Sequence, residues 1–404
     1  MTIPPGIPDG VLDLAASILG DRPLPPSRIH SDDGDERRAA ARPKGPGDGD
    51  LLSRLGEMLT APAAIDPTWP RPAAPAAVGD GWVHVEILDE DGPLFDALVD
   101  RHRDGGPEVV AAACQEARLP VCPYRSRRSH RSHDSSGGGS GPRTAPDSPD
   151  RSDRSHRNGA KAGRRVDGTV IVDLTTHWAG PLATKLLADA GATVIKLDPT
   201  RRPDGFRDRP AVYRHLNGSK EIVDLDLTSA AGRTRFEDLV RSADLLIESF
   251  SRRVMGNLGY RPERLRQLRP GLATVSIKAF PAAGPEATWS AYGPGVHAAS
   301  GLAAMSPAEE TEPANVAGVP GRPVPAPVAY PDFLTGVAAY AAAVDLLSPT
   351  DDANAAPDGR PASGVDVELA MADVIRPLNP TIPCQPTVAE IGETTVSQTS
   401  TVHR

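Results

Sequence analysis

The stretch Val170–Pro199, VIVDLTTHWAGPLATKLLADAGATVIKLDP, decides the fold class. Val170, Ile171, Val172 and Leu174 form a short apolar run of the kind a buried parallel strand shows. Ala179-Gly180-Pro181 ends the run, and Pro181 suits a first helical turn. Leu182, Leu186 and Leu187 then recur at helical spacing, with Ala183 and Ala190 on the same face. Gly191 stands where a helix-terminating glycine belongs, and Val194, Ile195 and Leu197 open a second strand. The unit is strand, helix, strand. Such crossovers are right-handed, and the first turn lies at the carboxyl ends of the strands, where open parallel sheets bind ligands.

That turn does not name its ligand. It lacks G-x-G-x-x-G, and G-x-x-x-x-G-K-[ST] occurs nowhere in the chain, so dinucleotide and P-loop readings lack support. The 404 residues suffice for two or three domains, and the net charge of -9 argues against general nucleic-acid binding. Cys114, Cys122 and Cys384 are few, odd in number and widely spaced, which suggests neither a disulfide framework nor a metal site and fits a reducing cytoplasm. MTIPPGIPDG has no basic and apolar leader pattern, and no apolar run approaches the roughly 20 residues of a membrane span. The 43 prolines are about twice the usual share, which predicts long irregular segments.

Outward from the opening unit, the N-terminal side divides into three. Residues 1–79 read as a poorly ordered segment with short helices at Val11–Leu19 and Leu51–Leu59, separated by a charged, glycine-rich stretch. Residues 80–124 read as folded α/β. Trp82, His84 and Glu86 alternate with Val83, Val85 and Ile87 in a strand, helices follow at Leu94–Val99 and Val109–Ala117, and LPVCPY is extended. Residues 125–165, RSRRSHRSHDSSGGGSGPRTAPDSPDRSDRSHRNGAKAGRR, have no apolar face to bury and read as a disordered, flexible linker. Their arginines and serines suit RNA contact or phosphorylation less well than a solvated tether, so a nucleic-acid partner is not expected. His130, His133 and His156 lie there without cysteine partners and make poor metal ligands.

On the C-terminal side strands and helices alternate. Strands are expected at Glu221–Leu227, Asp244–Ser249, Ala273–Phe280 and Gly364–Leu369, and helices at Ala230–Arg241, Pro262–Leu268, Asp332–Leu347 and Ala370–Ile375. This pattern predicts a mainly parallel sheet with helices on both faces. Asp332, in PVAYPDFLTGVAAYAAAVDLL, falls at or near the start of an alanine-rich helix, where backbone N–H groups and the helix dipole favour its ionised form. An aspartate there is more often only a cap; as a nucleophile it would need a pocket and an acyl group able to form an anhydride.

LNGSKEIVDLDLTSAAGR (Leu216–Arg233), ADLLIESFSRRVMGNLGY (Ala243–Tyr260), LRPGLATVSIKAF (Leu268–Phe280) and PDFLTG (Pro331–Gly336) follow the opening unit in fixed order. Together they resemble the family III CoA-transferases, the group of formyl-CoA transferase, carnitine CoA-transferases and 2-methylacyl-CoA racemases. The resemblance covers about 166–378. It implies a Rossmann-like large domain with a small domain, usually in two interlocked subunits, hence a homodimer or pairing with a related subunit. It also implies a cytoplasmic enzyme with no tightly bound cofactor and no metal, whose substrates are an acyl-CoA and a small carboxylic acid. Asp332 takes the place of the family's catalytic aspartate in [AG]-D-x-x-[TG]-G, with Pro331 where a small residue is usual. By resemblance it would attack the thioester, giving an aspartyl anhydride and then an aspartyl-CoA thioester, from which an acceptor carboxylate takes the CoA.

The same resemblance assigns CoA contacts to His177, Trp178, Ala179 and Gly180, to Ser249 and Phe250 in place of an Asn-Phe pair, and to Tyr292. The basic residue that often follows the second strand is displaced by Pro199, leaving Arg201 or Arg202 to serve. Asn257 stands where some members carry arginine, with Arg252 and Arg253 near enough to compensate; Gly293 replaces an acid, and His297 falls where glutamine is common. No histidine lies between His215 and His297, which argues against racemisation. About seventy residues follow Asp332, fewer than the family's own small domain and return require. DGWVHVEI (Asp80–Ile87) and CQEARLPVCPYR (Cys114–Arg125) resemble small-domain segments, so residues 80–124 are expected to be a small-domain equivalent placed ahead of the large domain, or else an unrelated cap. Residues 379–404 read as an irregular tail. Two functions remain: a CoA-transferase with Asp332 as nucleophile, or a degenerate member that binds CoA esters or a partner subunit without turnover.

Overall fold

The computed structural model describes residues 10–20, 74–125, 166–200, 203–303, 305–306, 321–326, 328–348 and 364–379. The expected helix at Leu51–Leu59, the linker after Arg125, Arg201 and Arg202, Cys384 and the tail beyond Asn379 lie outside them.

Six parallel strands form the main sheet. In chain order the elements from Val170 onward are β4 (Val170–Leu174), α4 (Ala179–Asp189), β5 (Thr193–Pro199), α5 (Pro210–Asn217), β6 (Glu221–Leu225), α6 (Ala230–Ser242) and β7 (Leu245–Glu248). They continue with α7 (Val254–Asn257), α8 (Pro262–Leu268), β8 (Ala273–Lys278), α9 (Gly293–Ala299), a two-residue ribbon β9 (Met305–Ser306) and β10 (Arg322–Pro323), α10 (Tyr330–Leu346), β11 (Asp366–Ala370) and α11 (Met371–Ile375). The spatial order is β11-β8-β7-β4-β5-β6, and every pairing is parallel. The order therefore reverses between β4 and β7, which opens a crevice beyond the ends of those two strands.

Alternation within the strands explains the two layers. Ile171, Val194, Leu245, Ile247, Val275 and Ile277 face one core, with α4, α10 and α11 over them. Val172, Leu174, Ile195, Leu197 and Leu246 face the other, under Phe236, Leu239 and Val240 of α6 and Leu265 of α8. The expected helices on both faces are present. One local expectation changes: α4 has no solvent face. Every residue from Ala179 to Asp189 is buried, because α10 packs along α4 over the same face of the sheet. Lys185 and Asp189, both buried, pair one turn apart on this helix. Gly191 ends α4 as expected, at φ 106°, where an added Cβ would lie 2.8 Å from the Asp167 carboxylate.

The N-terminal side adds α1 (Val11–Leu19), β1 (Ala74–Val78), β2 (Gly81–Val85), α2 (Gly92–His102), α3 (Gly106–Glu116) and β3 (Val121–Pro123). Val11, Ala15, Ile18 and Leu19 of α1 join the core around α10. β1, β2 and β3 form an antiparallel sheet in that order, and its apolar side closes a separate small core with Val99, Val110 and Cys114. This unit docks on α9 and the loop before it. Gln115 and Ser290 exchange two hydrogen bonds of 2.8 Å, and Arg125 pairs with Glu286. Among the described residues no helix is long and apolar enough to cross a membrane.

Candidate active site

Asp332 stands in the first turn of α10, but the helix begins at Tyr330 behind Ala329, so the aspartate is its third residue and not its cap. Its side chain is 5% exposed, and Oδ2 receives no hydrogen bond from the described residues. Gly293 makes room for it: a Cβ there would sit 1.9 Å from Asp332 Oδ2. Gly293, which the sequence reading treats as the loss of an acid, is thus the space the aspartate occupies.

The expectation of a favoured anion is reversed. Burial first, and the Glu86 carboxylate second, raise the Asp332 pKa to about 8; the backbone N–H groups of Gly293 and Asp332 pull the other way and lose. The helix start supplies only the opposing N–H groups; the enclosure and a second acid just beyond β2 outweigh them.

The turn after β4 reaches the same place. His177 holds φ 65°, a left-handed conformation uncommon outside glycine. Asp204 accepts its N–H, and its ring lies 5.0 Å from that of Tyr292, the residue preceding Gly293. Trp178 packs edge-on against Phe206 at 5.4 Å. Gly180 and Gly336 let the chain close up: a Cβ on Gly180 would lie 2.2 Å from Thr175 Cβ, and one on Gly336 2.8 Å from the Ala179 carbonyl oxygen. The close approach of α4 to α10 brings the 177–180 turn alongside the first turn that carries Asp332.

A buried charge network sets that turn. Lys196 donates to the Thr175 carbonyl at 2.6 Å and pairs with Asp204 at 3.3 Å. Asp204 in turn accepts from the N–H groups of His177 and Phe206. Asp173, at the end of β4, accepts from Thr175 and Thr184 and pairs with Lys220, which also reaches Pro181 O and Asn217. Despite complete burial the Lys220 and Lys196 charges and the two hydroxyls hold Asp173 down at about 2. Burial brings Lys220 down to about 8. Sequence reasoning overlooked these residues, although a lysine inside the apolar strand VIKL was a visible signal.

Of the residues the sequence assigns to the site, His177, Trp178, Ala179, Gly180, Tyr292 and Asp332 come together. Ser249 joins through its Oγ, which accepts the Thr176 N–H at 3.2 Å across the β4–β7 crevice. Phe250 does not: its side chain, partly buried, packs against the core on the opposite face of the sheet. Arg201 lies outside the described residues. Arg252, offered as a compensating cation, is consumed by Glu368 and the carbonyls of Phe280 and Ala287. His297 is structural in its bonding, with Nδ1 2.7 Å from the Tyr330 hydroxyl, and burial lowers its pKa to about 4. Among the described residues no three His, Cys, Asp or Glu side chains converge as a metal site would require.

Residues 166–385 match the sequence family described as CoA-transferase family III. Over 159 residues the chain is 34% identical to the acetyl-CoA:oxalate CoA-transferase of Acetobacter aceti, covering 38% of this chain and 41% of that one. Over 223 residues it is 31% identical to the succinate–glutarate CoA-transferase of Agrobacterium fabrum, covering 52% and 51%. A formyl-CoA:oxalate CoA-transferase of Escherichia coli is 32% identical over 151 residues, covering 35% and 36%. The chain thus spans at most about half the length of these relatives.

Proposed function

The chain belongs to CoA-transferase family III, and from that premise we propose that it moves coenzyme A from a short acyl-CoA to a small carboxylic acid, with Asp332 as the nucleophile. The observation that carries the reading is the enclosed Asp332 carboxylate, placed over Gly293 and beside the turn at the carboxyl end of β4. A carboxylate excluded from water is a stronger nucleophile once ionised, and its acyl adducts are shielded from hydrolysis.

In the proposed cycle an Asp332 oxygen attacks the thioester carbonyl and the CoA thiolate leaves, giving an aspartyl anhydride. The thiolate returns to the aspartyl carbonyl and expels the donor's carboxylate. The acceptor carboxylate then attacks the aspartyl-CoA thioester and expels the CoA thiolate, giving a second anhydride; the thiolate attacks the acceptor's carbonyl in that anhydride, releasing the new acyl-CoA and free Asp332. The CoA chain would enter along His177, Trp178, Ala179 and Gly180, with Tyr292 bordering the reacting end. Ser249 would hold the floor of that channel through Thr176. The names of the relatives suggest acetyl-CoA with oxalate and succinyl-CoA with glutarate as first donor–acceptor pairs. A homodimer is part of the proposal, as is the role of residues 80–124 as the unit that closes the site.

Mass spectrometry tests the reading. After incubation with acetyl-CoA or succinyl-CoA, the peptide containing Asp332 should gain a CoA-sized adduct removable by hydroxylamine. An Asp332→Ala protein that still exchanges CoA at the wild-type rate refutes it. Calorimetric binding of CoA with no adduct and no exchange selects the non-catalytic member instead.

A further inference from the structure

Glu86 lies at the end of β2, in a unit that precedes the large sheet by some eighty residues, yet it is fully buried against the same segment as Asp332. Two glycines make this possible. The Cβ that would crowd Asp332 Oδ2 belongs to Gly293; a Cβ on Gly295 would sit 3.1 Å from Glu86 Oε2. The Tyr292 N–H points at Glu86 Oε2 from 3.4 Å, one residue before the amide that faces Asp332. The segment Gly293-Pro294-Gly295 thus takes one carboxylate from α10 and one from β2 on neighbouring positions.

We propose that Glu86 is a positioning residue of this site, whose carboxylate governs whether Asp332 carries a proton. The proposal rests on the reading of Asp332 as nucleophile. Two carboxylates enclosed together resist double ionisation. With Glu86 charged, Asp332 keeps its proton and is a poor nucleophile; when the Glu86 charge is removed, Asp332 ionises more readily. Only an O–H bond on Asp332 is made or broken, and the proton exchanges with solvent. The small N-terminal sheet therefore acts on the chemistry as well as closing over it.

Other ionisable groups face the pair. His84, on β2 two residues before Glu86, has Nε2 3.5 Å from Glu86 Oε1 and Nδ1 2.9 Å from the Tyr124 hydroxyl. Cys122 comes from β3, Tyr292 and His297 from α9 and the loop before it, and Tyr330 from α10. Arg125 and Arg322 reach the rim through Cys122 and Tyr124. Burial keeps the Cys122 thiol and the Tyr124 and Tyr330 hydroxyls protonated by raising each pKa, and it lowers that of His297.

The test is an infrared pH titration of the Asp332 carboxyl in the full chain, its band assigned by its loss in Asp332→Asn. In Glu86→Gln the midpoint should fall by roughly one pH unit, the usual scale for losing one nearby like charge. The acid limb of kcat/KM with succinyl-CoA and glutarate should move by the same amount. Glu86→Asp keeps the charge but withdraws it by one methylene, so its midpoint should fall less; it serves alone if Glu86→Gln does not fold. An unchanged midpoint in either folded variant overturns the proposal. The infrared titration needs no turnover, so it is independent of the adduct experiment, whose failure would remove the nucleophile role and leave the coupled pair standing.

Discussion

Replacing Asp332 with asparagine should stabilise the protein at neutral and alkaline pH while removing the proposed chemistry. The magnitude follows from the raised pKa. In the unfolded chain the carboxyl ionises near 3.8, and in the fold burial and Glu86 hold it at about 8. Between those values the folded state retains a proton that the unfolded state has lost, so stability falls as pH rises through the window. At pH 7 the interval from 3.8 covers about three units, an upper limit of about 4 kcal/mol at roughly 1.4 kcal/mol per unit. Asparagine removes the titration and keeps the shape, but its buried amide still pays for lost hydration. A net gain of about 1–3 kcal/mol at pH 7 is expected. Urea unfolding of both proteins at several pH values between about 4 and 9 gives the answer. The difference should be near zero at the acid end, where Asp332 is protonated in both states, and should grow with pH. A difference independent of pH, or an asparagine variant less stable at pH 9, refutes the reasoning.

Two further outcomes probe the frame around the site. Lys220→Met leaves Asp173 buried without its nearest cation and should cost about 3–5 kcal/mol in urea unfolding; a change under about 0.5 kcal/mol contradicts the network. The loss should also be pH-dependent: Asp173, held near 2 against an ordinary 3.8, contributes stability above that ordinary value that disappears as pH falls toward 2, and the variant should lack most of this acid limb. Gly180→Ala drives a methyl group into Thr175 and should lower stability by about 1–3 kcal/mol, with loss of CoA binding by calorimetry; an unperturbed variant would show that the turn is looser than its geometry.

The sheet was legible because each strand carries its own evidence. Val172 and Leu174 face one layer while Ile171 faces the other, so the run VIVDL is apolar on both sides but for the buried Asp173, and a parallel strand covered twice is what such a run describes. Segment order then fixed the succession of crossovers. Asp332, His177 and Gly180 were reachable because they sit in short motifs whose neighbours are close in sequence. What failed was whatever depends on a covering element. The stripe of leucines in α4 predicts one buried face; α10, arriving about 150 residues later, buries the other as well. Phe250 follows Ser249 directly, and just beyond β7 one turns toward the crevice while the other packs against the opposite core.

Glu86 shows the same limit in a sharper form. Period-2 alternation in GWVHVEI separates Trp82, His84 and Glu86 from Val83 and Val85, and a polar alternate face ordinarily means solvent. Here that face meets α9, and His84 and Glu86 are completely buried. A buried acid in such a place changes the chemistry of its neighbours more than its own, because like charge and low polarity act on any carboxyl enclosed with it. The local reading of Asp332 as a helix-start anion was sound about the helix and wrong about the proton. The deciding terms come from a strand about 250 residues away and from the closure of the pocket, and neither is encoded in the sequence around the aspartate. For the same reason, variants within PDFLTG alone cannot show how the Asp332 carboxyl is controlled; Gly293, Gly295 and Glu86 have to be varied with it.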